Sequence, residues 1–198
     1  MPSIPNLLTL LRIALIPVFI IFFYLPVSYG NQVCAAIFAL AAATDWLDGY
    51  LARRLNQVSA FGAFLDPVAD KLMVAAALIL VVQADPTPAL AIPAIIIVGR
   101  EVSISALREW MAEMGERAKV AVTVIAKIKT AAQMVAILML IYREPIGELP
   151  VYTIGYVLLY VSAILAVWSM FVYIKAAWPH MNESGSALET DDTDLDGG

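Results

Sequence analysis

The stretch that decides the fold joins two strongly apolar segments. Residues 33–44 read VCAAIFALAAAT, residues 45–71 read DWLDGYLARRLNQVSAFGAFLDPVADK, and residues 72–82 read LMVAAALILVV. The middle stretch carries four aspartates, two arginines and a lysine between segments apolar enough to enter a membrane. Charge is expensive inside a bilayer, so ionisable residues within membrane helices indicate a functional site. The stretch therefore predicts two membrane helices with a polar site where they join.

The composition of the whole chain is typical of a membrane protein. Of its 198 residues 62% are hydrophobic, and the mean hydropathy is +0.83. Several apolar runs approach the roughly 18 to 20 residues that a helix needs to cross a bilayer. The single cysteine, Cys34, excludes an internal disulfide, and one cysteine with one histidine cannot build a zinc site. Any metal must be a hard cation held by carboxylates, and we expect no nucleic-acid partner.

Apolar runs and turn residues predict an all-α polytopic membrane protein with six transmembrane helices. The predicted ranges are 5–25, 31–55, 60–83, 88–112, 119–142 and 150–175. One set of helix ends holds most of the arginines and lysines, whereas the opposite loops hold only Arg143. Because bases accumulate on the cytoplasmic side of a membrane, both termini and the polar stretch should face the cytoplasm. We therefore expect the protein in the cytoplasmic membrane.

The last eighteen residues, MNESGSALETDDTDLDGG, form an acidic tail with six acids and no base. Their like charges and low apolar content predict a disordered, solvated segment over residues 181–198. Of the 17 acids in the chain, 11 remain outside the tail against 12 bases. The membrane domain, predicted over residues 1–180, is therefore close to neutral.

The four aspartates of the central stretch form two pairs with helical spacing. Asp45 and Asp48 are three residues apart, and Asp66 and Asp70 are four apart, so each pair shares one helix face. Two acidic faces on consecutive helices can point at one another, and two divalent cations would neutralise their four charges. Such a dinuclear carboxylate site is suited to holding a diphosphate. The alternative is a set of structural ion pairs with neighbouring arginine and lysine side chains.

Small residues lie between the acidic pairs. Gly49, Ala52 and Gly62 favour the close approach of a flat ligand to the backbone. Pro67, directly after Asp66, is compatible either with the first turn of the third helix or with a kink inside it.

The spacing of these residues resembles the signature of the CDP-alcohol phosphatidyltransferase family. Asp45 and Asp48 are followed by Gly49, then by Ala52 and Arg53, and after eight residues by Gly62, Asp66 and Asp70. The resemblance implies that the four aspartates bind two divalent cations, Mg²⁺ or Mn²⁺, and that Asp70 is also the general base. It further implies that four residues contact a cytidine nucleotide: Gly49, Ala52, Arg53 and Gly62.

Three more segments resemble those family members that transfer a phosphatidyl group from CDP-diacylglycerol to glycerol 3-phosphate and release CMP. They are IPNLLTLLRIALIPVFI (4–20), GREVSISALREWMAEMGERAKVAV (99–122) and AKIKTAAQMVAI (126–137). One departure is Ala126, where this resemblance leads us to expect glycine. The family also implies a homodimer. Rival interpretations are a relative that uses phosphatidylglycerol, inositol phosphate or serine, an intramembrane prenyltransferase, and an intramembrane cation transporter.

Polar residues on the fourth and fifth predicted helices suit an anionic acceptor. Thr123, Lys127, Thr130 and Gln133 form a polar stripe on an otherwise apolar helix, and an intramembrane lysine usually faces a cavity or an anionic ligand. Guanidinium groups on the fourth helix can hold a phosphate through two hydrogen bonds. We therefore expect Arg108 and Lys127 to bind the acceptor phosphate, followed by Arg100 and Lys129. Two alternatives remain open: Arg108 forms a structural ion pair with Glu101, and Lys129 extends to the membrane surface.

Asn6, Thr9 and Arg12 recur every three residues along one broad face of the first helix. This pattern is compatible with an amphipathic start at the membrane surface. It is equally compatible with a face that closes the polar site and contacts the nucleotide or its diphosphate, and we assign Asn6 and Thr9 to the nucleotide site on that basis.

Overall fold

The computed structural model describes residues 4–55, 60–113 and 124–191, and the regular elements in these ranges are all α-helices. The six described helices are α1 (Ile4–Tyr24), α2 (Gly30–Leu55), α3 (Ala60–Ala84), α4 (Pro88–Glu113), α5 (Val124–Tyr142) and α6 (Val151–Asp191). The all-α prediction is confirmed for this part of the chain.

Most of the helix ends agree with the predicted ranges to within a residue or two. The fifth helix was predicted from residue 119, but residues 114–123 lie outside the described part of the chain. The sixth was predicted to end at residue 175, where its apolar run ends, yet α6 continues to Asp191 because a helix needs no apolar residues for its main-chain hydrogen bonds. The described helix thus enters the acidic segment, whose disorder remains a prediction.

Two prolines mark how local sequence determines α3 and α4. Pro88 occupies the first position of α4, where its missing N–H is not needed, and the carbonyl of Thr87 accepts bonds from Leu90 and Ala91 at 3.1 and 3.0 Å. Pro67 lies inside α3 rather than in its first turn. Proline has no main-chain N–H, so Pro67 cannot donate the usual hydrogen bond to the preceding turn. The helix therefore lacks one main-chain hydrogen bond directly after Asp66.

The helices pack around an apolar centre and separate two polar ends. α1 packs against α2 and α3, α5 against α6 and α2, and α4 against α6 and α3. Core side chains from these helices include Phe19, Phe38, Leu78, Ile97 and Ile137. The loops at one end are joined by contacts such as Tyr152 to Asp85 at 2.5 Å and Gln32 to Glu144 at 2.6 Å. The predicted site residues gather at the opposite end.

Three of the described helices are long and apolar enough to cross a membrane. They cover Asn6–Tyr24, Pro88–Ala112 and Val151–Lys175, with hydropathies of 2.4, 1.8 and 2.2. A shorter apolar stretch covers Lys129–Tyr142 in α5. α2 and α3 carry the four aspartates, and these charged residues lower the hydropathy of both helices.

The close packing of α5 and α6 depends on Gly155. A Cβ atom at this position would lie 2.8 Å from the Cβ of Met139 and 3.1 Å from the carbonyl oxygen of Ala136. We expect Gly155→Ala to lower the free energy of unfolding by about 1–3 kcal/mol through overpacking. Gly99→Ala is the matched control, because no atom lies within 4 Å of its Cβ position. Thermal unfolding in detergent measures both, and a Gly155→Ala protein as stable as the Gly99→Ala protein would contradict this packing.

Candidate active site

The site begins with a buried arginine on α1 that contacts both aspartates of α2. Arg12 is 1% exposed, its Nη1 lies 2.8 Å from Oδ1 of Asp45, and its Nη2 donates a hydrogen bond to Oδ2 of Asp48. Asp48 is itself 3% exposed. A buried carboxylate needs such a partner because desolvating an unpaired charge is costly. The face of α1 that carries Asn6, Thr9 and Arg12 therefore contacts the aspartates of α2 through Arg12, and its contact with the nucleotide remains a prediction.

The same face of α1 reaches the aspartates of α3. Thr9 is fully buried and donates its hydroxyl hydrogen to Oδ1 of Asp66. Asp70 lies within electrostatic reach of Asp45 and Arg12. The two acidic pairs thus meet around the first half of α1, which the spacing within α2 and α3 could not reveal.

The chemistry of these donors suits a divalent cation. Four carboxylates offer only hard oxygen ligands, which Mg²⁺ and Mn²⁺ prefer, and the guanidinium of Arg12 can balance only part of their charge. In the described ranges no three acidic, histidine or cysteine side chains already surround one point closely enough to hold a metal ion. Arg12 and Thr9 instead contact three of the four carboxylates. The donor set fits the metal, and its ligand role remains a prediction.

A second cluster of charges joins α4 to α5 and α6. Oε1 of Glu101 accepts hydrogen bonds from Nη1 of Arg100 and from Nζ of Lys129, both at 2.8 Å. Nε and Nη2 of Arg100 also donate to Oγ of Ser169, at 3.2 and 3.1 Å. Lys129 is 3% exposed, so it is a buried, paired lysine and does not extend to the membrane surface.

Arg108 lies beside this cluster, because its guanidinium and that of Arg100 both lie near the ring of Tyr173. Its Nη2 donates to the hydroxyl of Tyr173 at 2.6 Å, and its guanidinium carbon lies 5.0 Å from the centre of that ring. The ion pair with Glu101 considered from the sequence is not formed, because Glu101 faces Arg100 and Lys129. Arg108 is exposed.

One small cavity connects Asp70 with the second cluster. It has a volume of about 50 Å³ and lies where α3, α4 and α5 meet. The polar residues in its wall are Asp70, Lys71, Glu101, Thr130 and Gln133. The residue predicted as general base therefore shares a cavity with the carboxylate that holds Arg100 and Lys129.

Glu101, Ser169 and Tyr173 were not identified as site residues from the sequence. Glu101 was considered only as a partner for Arg108. The spacing of residues within one helix cannot reveal a contact with Lys129, which lies on another helix. Ser169 and Tyr173 are four residues apart on the same face of α6, and a polar pair in an apolar helix was the signal available.

Some predicted residues lie in described helices while their surroundings lie outside the described part of the chain. These are Gly49, Ala52 and Arg53 in α2 and Lys127 in α5. Of the other predicted nucleotide contacts, Gly62 is buried in α3 and Asn6 is half-buried in the first turns of α1.

The fold and the site together define a helical membrane protein with a buried, carboxylate-rich site at one end of its bundle. The chain belongs to the CDP-alcohol phosphatidyltransferase family, whose profile matches residues 2–168. The membership indicated by the aspartate signature is confirmed, and the protein is an integral membrane protein of a family that uses divalent metals.

Curated relatives cover nearly the whole chain. A Pseudomonas fluorescens protein is 53% identical over 92% of this chain and 94% of its own length. A Pectobacterium atrosepticum protein is 54% identical over 88% of this chain and 94% of its own length, and a Yersinia pestis protein is 51% identical over 91% and 98%. All three are named CDP-diacylglycerol–glycerol-3-phosphate 3-phosphatidyltransferase.

Proposed function

We propose that the protein transfers a phosphatidyl group from CDP-diacylglycerol to sn-glycerol 3-phosphate, giving phosphatidylglycerophosphate and CMP. The observation that carries this proposal is the shared cavity of Asp70 and Glu101, because it joins a carboxylate-rich site to the buried cations Arg100 and Lys129. The names of relatives that are more than half identical to the chain support the same reaction.

The carboxylates form the donor half of the reaction. Asp45, Asp48, Asp66 and Asp70 would hold two divalent cations, Mg²⁺ or Mn²⁺, which supply charge neutralisation for the diphosphate when bound. Arg12 and Thr9 contact these carboxylates from α1, and we propose that this face of α1 also contacts the diphosphate. The family signature assigns the nucleotide contacts to a set of small and polar residues: Gly49, Ala52, Arg53 and Gly62, with Asn6 and Thr9 from α1.

Asp70 takes the proton from the primary hydroxyl of the acceptor. The freed oxygen attacks the phosphorus on the lipid side of the diphosphate, a new P–O bond forms, and the P–O bond to CMP breaks. The acyl chains remain in the bilayer throughout. CMP and the acceptor are water-soluble and exchange with the cytoplasm.

The acceptor phosphate is bound by cations of α4 and α5. Arg108 and Lys127 are our first assignments, and Arg100 and Lys129 the next. Glu101 carries one negative charge against the two positive charges of Arg100 and Lys129. The cluster therefore keeps a net positive charge, which suits a phosphate ligand.

The topology agrees with this chemistry. We propose six transmembrane helices with both termini and the site on the cytoplasmic face of the cytoplasmic membrane, and a homodimer as the family resemblance implies. The excess of bases at the site end supports this orientation.

Release of CMP by the purified, reconstituted protein tests the function. With CDP-diacylglycerol and Mg²⁺ or Mn²⁺ we expect CMP with glycerol 3-phosphate but not with phosphatidylglycerol, inositol phosphate or serine, and chelation of the metal should stop release. Absence of CMP with every acceptor would overturn the transferase function, whereas CMP with another acceptor alone would overturn only the specificity.

A further inference from the structure

The side-chain oxygen of Gln133 stands out among the polar atoms of the residues that line the cavity. Gln133 is 4% exposed, and its Oε1 has no hydrogen-bond partner in the described part of the chain. Burying an amide oxygen without a partner costs free energy, and a ligand hydroxyl that donates to Oε1 would recover it. The cavity wall that contains Gln133 also contains Asp70.

We propose that Gln133 binds the secondary hydroxyl of glycerol 3-phosphate and so determines the specificity for the acceptor. This inference rests on the proposed function, in which Asp70 deprotonates the primary hydroxyl. The secondary hydroxyl is on the adjacent carbon, so a residue that binds it must lie beside the base. Gln133 on α5 and Asp70 on α3 meet this requirement because they line the same cavity.

The size of the cavity agrees with this role. Its volume of about 50 Å³ exceeds the roughly 10–15 Å³ that one water molecule needs on the same measure. It therefore has room for a hydroxyl group beside Gln133. A hydroxyl both donates and accepts hydrogen bonds, so it can pair with either end of the Gln133 amide.

The arrangement also explains how the enzyme would recognise the handedness of its acceptor. The central carbon of glycerol 3-phosphate bears a hydroxyl, a hydroxymethyl and a phosphorylated methylene group. Gln133 binds the first, Asp70 the second, and the cations assigned to the acceptor phosphate, Arg100 and Lys129 among them, the third. Glu101, which pairs with Arg100 and Lys129, lines the cavity as well, so the groups that bind the three substituents lie around one acceptor. Without Gln133, only the hydroxymethyl group and the phosphate of the acceptor would be bound. Two contacts are the same for both mirror-image forms, so the site could not distinguish them.

A comparison of two acceptors in two proteins tests the proposal. The second acceptor is 1,3-propanediol monophosphate, which lacks only the secondary hydroxyl, and the variant is Gln133→Met, which keeps the length of the side chain without its amide. We expect the wild-type protein to prefer glycerol 3-phosphate by about 5- to 150-fold in kcat/KM, as for one buried hydrogen bond. In Gln133→Met this preference should fall close to one, chiefly through loss of activity toward glycerol 3-phosphate.

Gln83→Met is the matched control, since Gln83 lies at the opposite end of the bundle, where its Oε1 accepts a hydrogen bond from Tyr24, and its replacement should leave the preference unchanged. If Gln133→Met does not fold, Gln133→Asn withdraws the amide by one methylene group and should also reduce the preference. A variant that retains the wild-type preference, or loses activity equally toward both acceptors, would overturn the role of Gln133. Absence of CMP release by the wild-type protein would instead overturn the proposed function.

Discussion

Asp70→Asn is expected to lower kcat for CMP release by about 10²- to 10⁴-fold while the protein remains folded. The amide cannot take a proton from the attacking hydroxyl, and general-base catalysis commonly contributes a factor of this size. The effect should fall on kcat because Asp70 acts on the reacting atoms. Initial rates of CMP release at saturating CDP-diacylglycerol and glycerol 3-phosphate measure it.

Asp85→Asn is the matched control for this substitution. Asp85 lies at the opposite end of the bundle, where Oδ2 accepts a hydrogen bond from Tyr152, so its replacement should leave kcat near the wild-type value. A divalent-metal titration separates the two roles that the family signature assigns to Asp70. A missing ligand is compensated at high Mg²⁺ or Mn²⁺, whereas a missing base is not. Near-normal turnover of Asp70→Asn at any metal concentration would rule Asp70 out as the base.

The helices could be predicted because the apolar runs end either in turn-forming residues or in a polar stretch. α4 begins at Pro88, the residue at which its start was predicted, and α3 ends at Ala84, one residue after its predicted end. The end of α6 could not be predicted in this way, since the apolar period ends well before the hydrogen-bonded helix does. The position of Pro67 in α3 could not be predicted either, because the sequence around it is compatible with the first turn of a helix and with a kink inside one.

The aspartate pairs could be predicted because each pair lies on one helix. Spacing alone defines which side chains share a face, so Asp45 with Asp48 and Asp66 with Asp70 required no tertiary information. The contacts between helices depend instead on how far each helix is rotated and shifted against its neighbour. The pairing of Glu101 with Lys129, across 28 positions in sequence, is of this kind.

The environment of the Gln133 side-chain oxygen could not be predicted from the sequence for the same reason. The sequence placed it in a polar stripe with Thr130, which indicated a polar surface but gave no role to either residue. That its oxygen is buried without a partner beside Asp70 follows only from the packing of α3 and α4 against α5.

Arg12→Gln is expected to destabilise the metal-free protein by about 3–5 kcal/mol, the usual cost of removing one partner of a buried ion pair. Arg12 and Asp48 are both almost fully buried, so the substitution leaves a desolvated carboxylate beside three others. Thermal unfolding of the purified protein after chelation of divalent metals measures this loss. Arg143→Gln removes an arginine at the opposite end of the bundle and should have a far smaller effect.

The response to metal distinguishes lost packing from lost charge in Arg12→Gln. A cation bound by the folded state raises stability by an amount that grows as its Kd falls, and removing a nearby positive charge should lower the Kd for Mg²⁺ or Mn²⁺. The metal should therefore raise the Tm of Arg12→Gln more than that of the wild-type or Arg143→Gln protein. Arg12→Lys, which keeps the charge, should give an intermediate response. Equal metal-induced shifts in all four proteins would show that Arg12 and the cations do not share Asp45 and Asp48, because two positive groups that neutralise the same carboxylates must influence each other's binding.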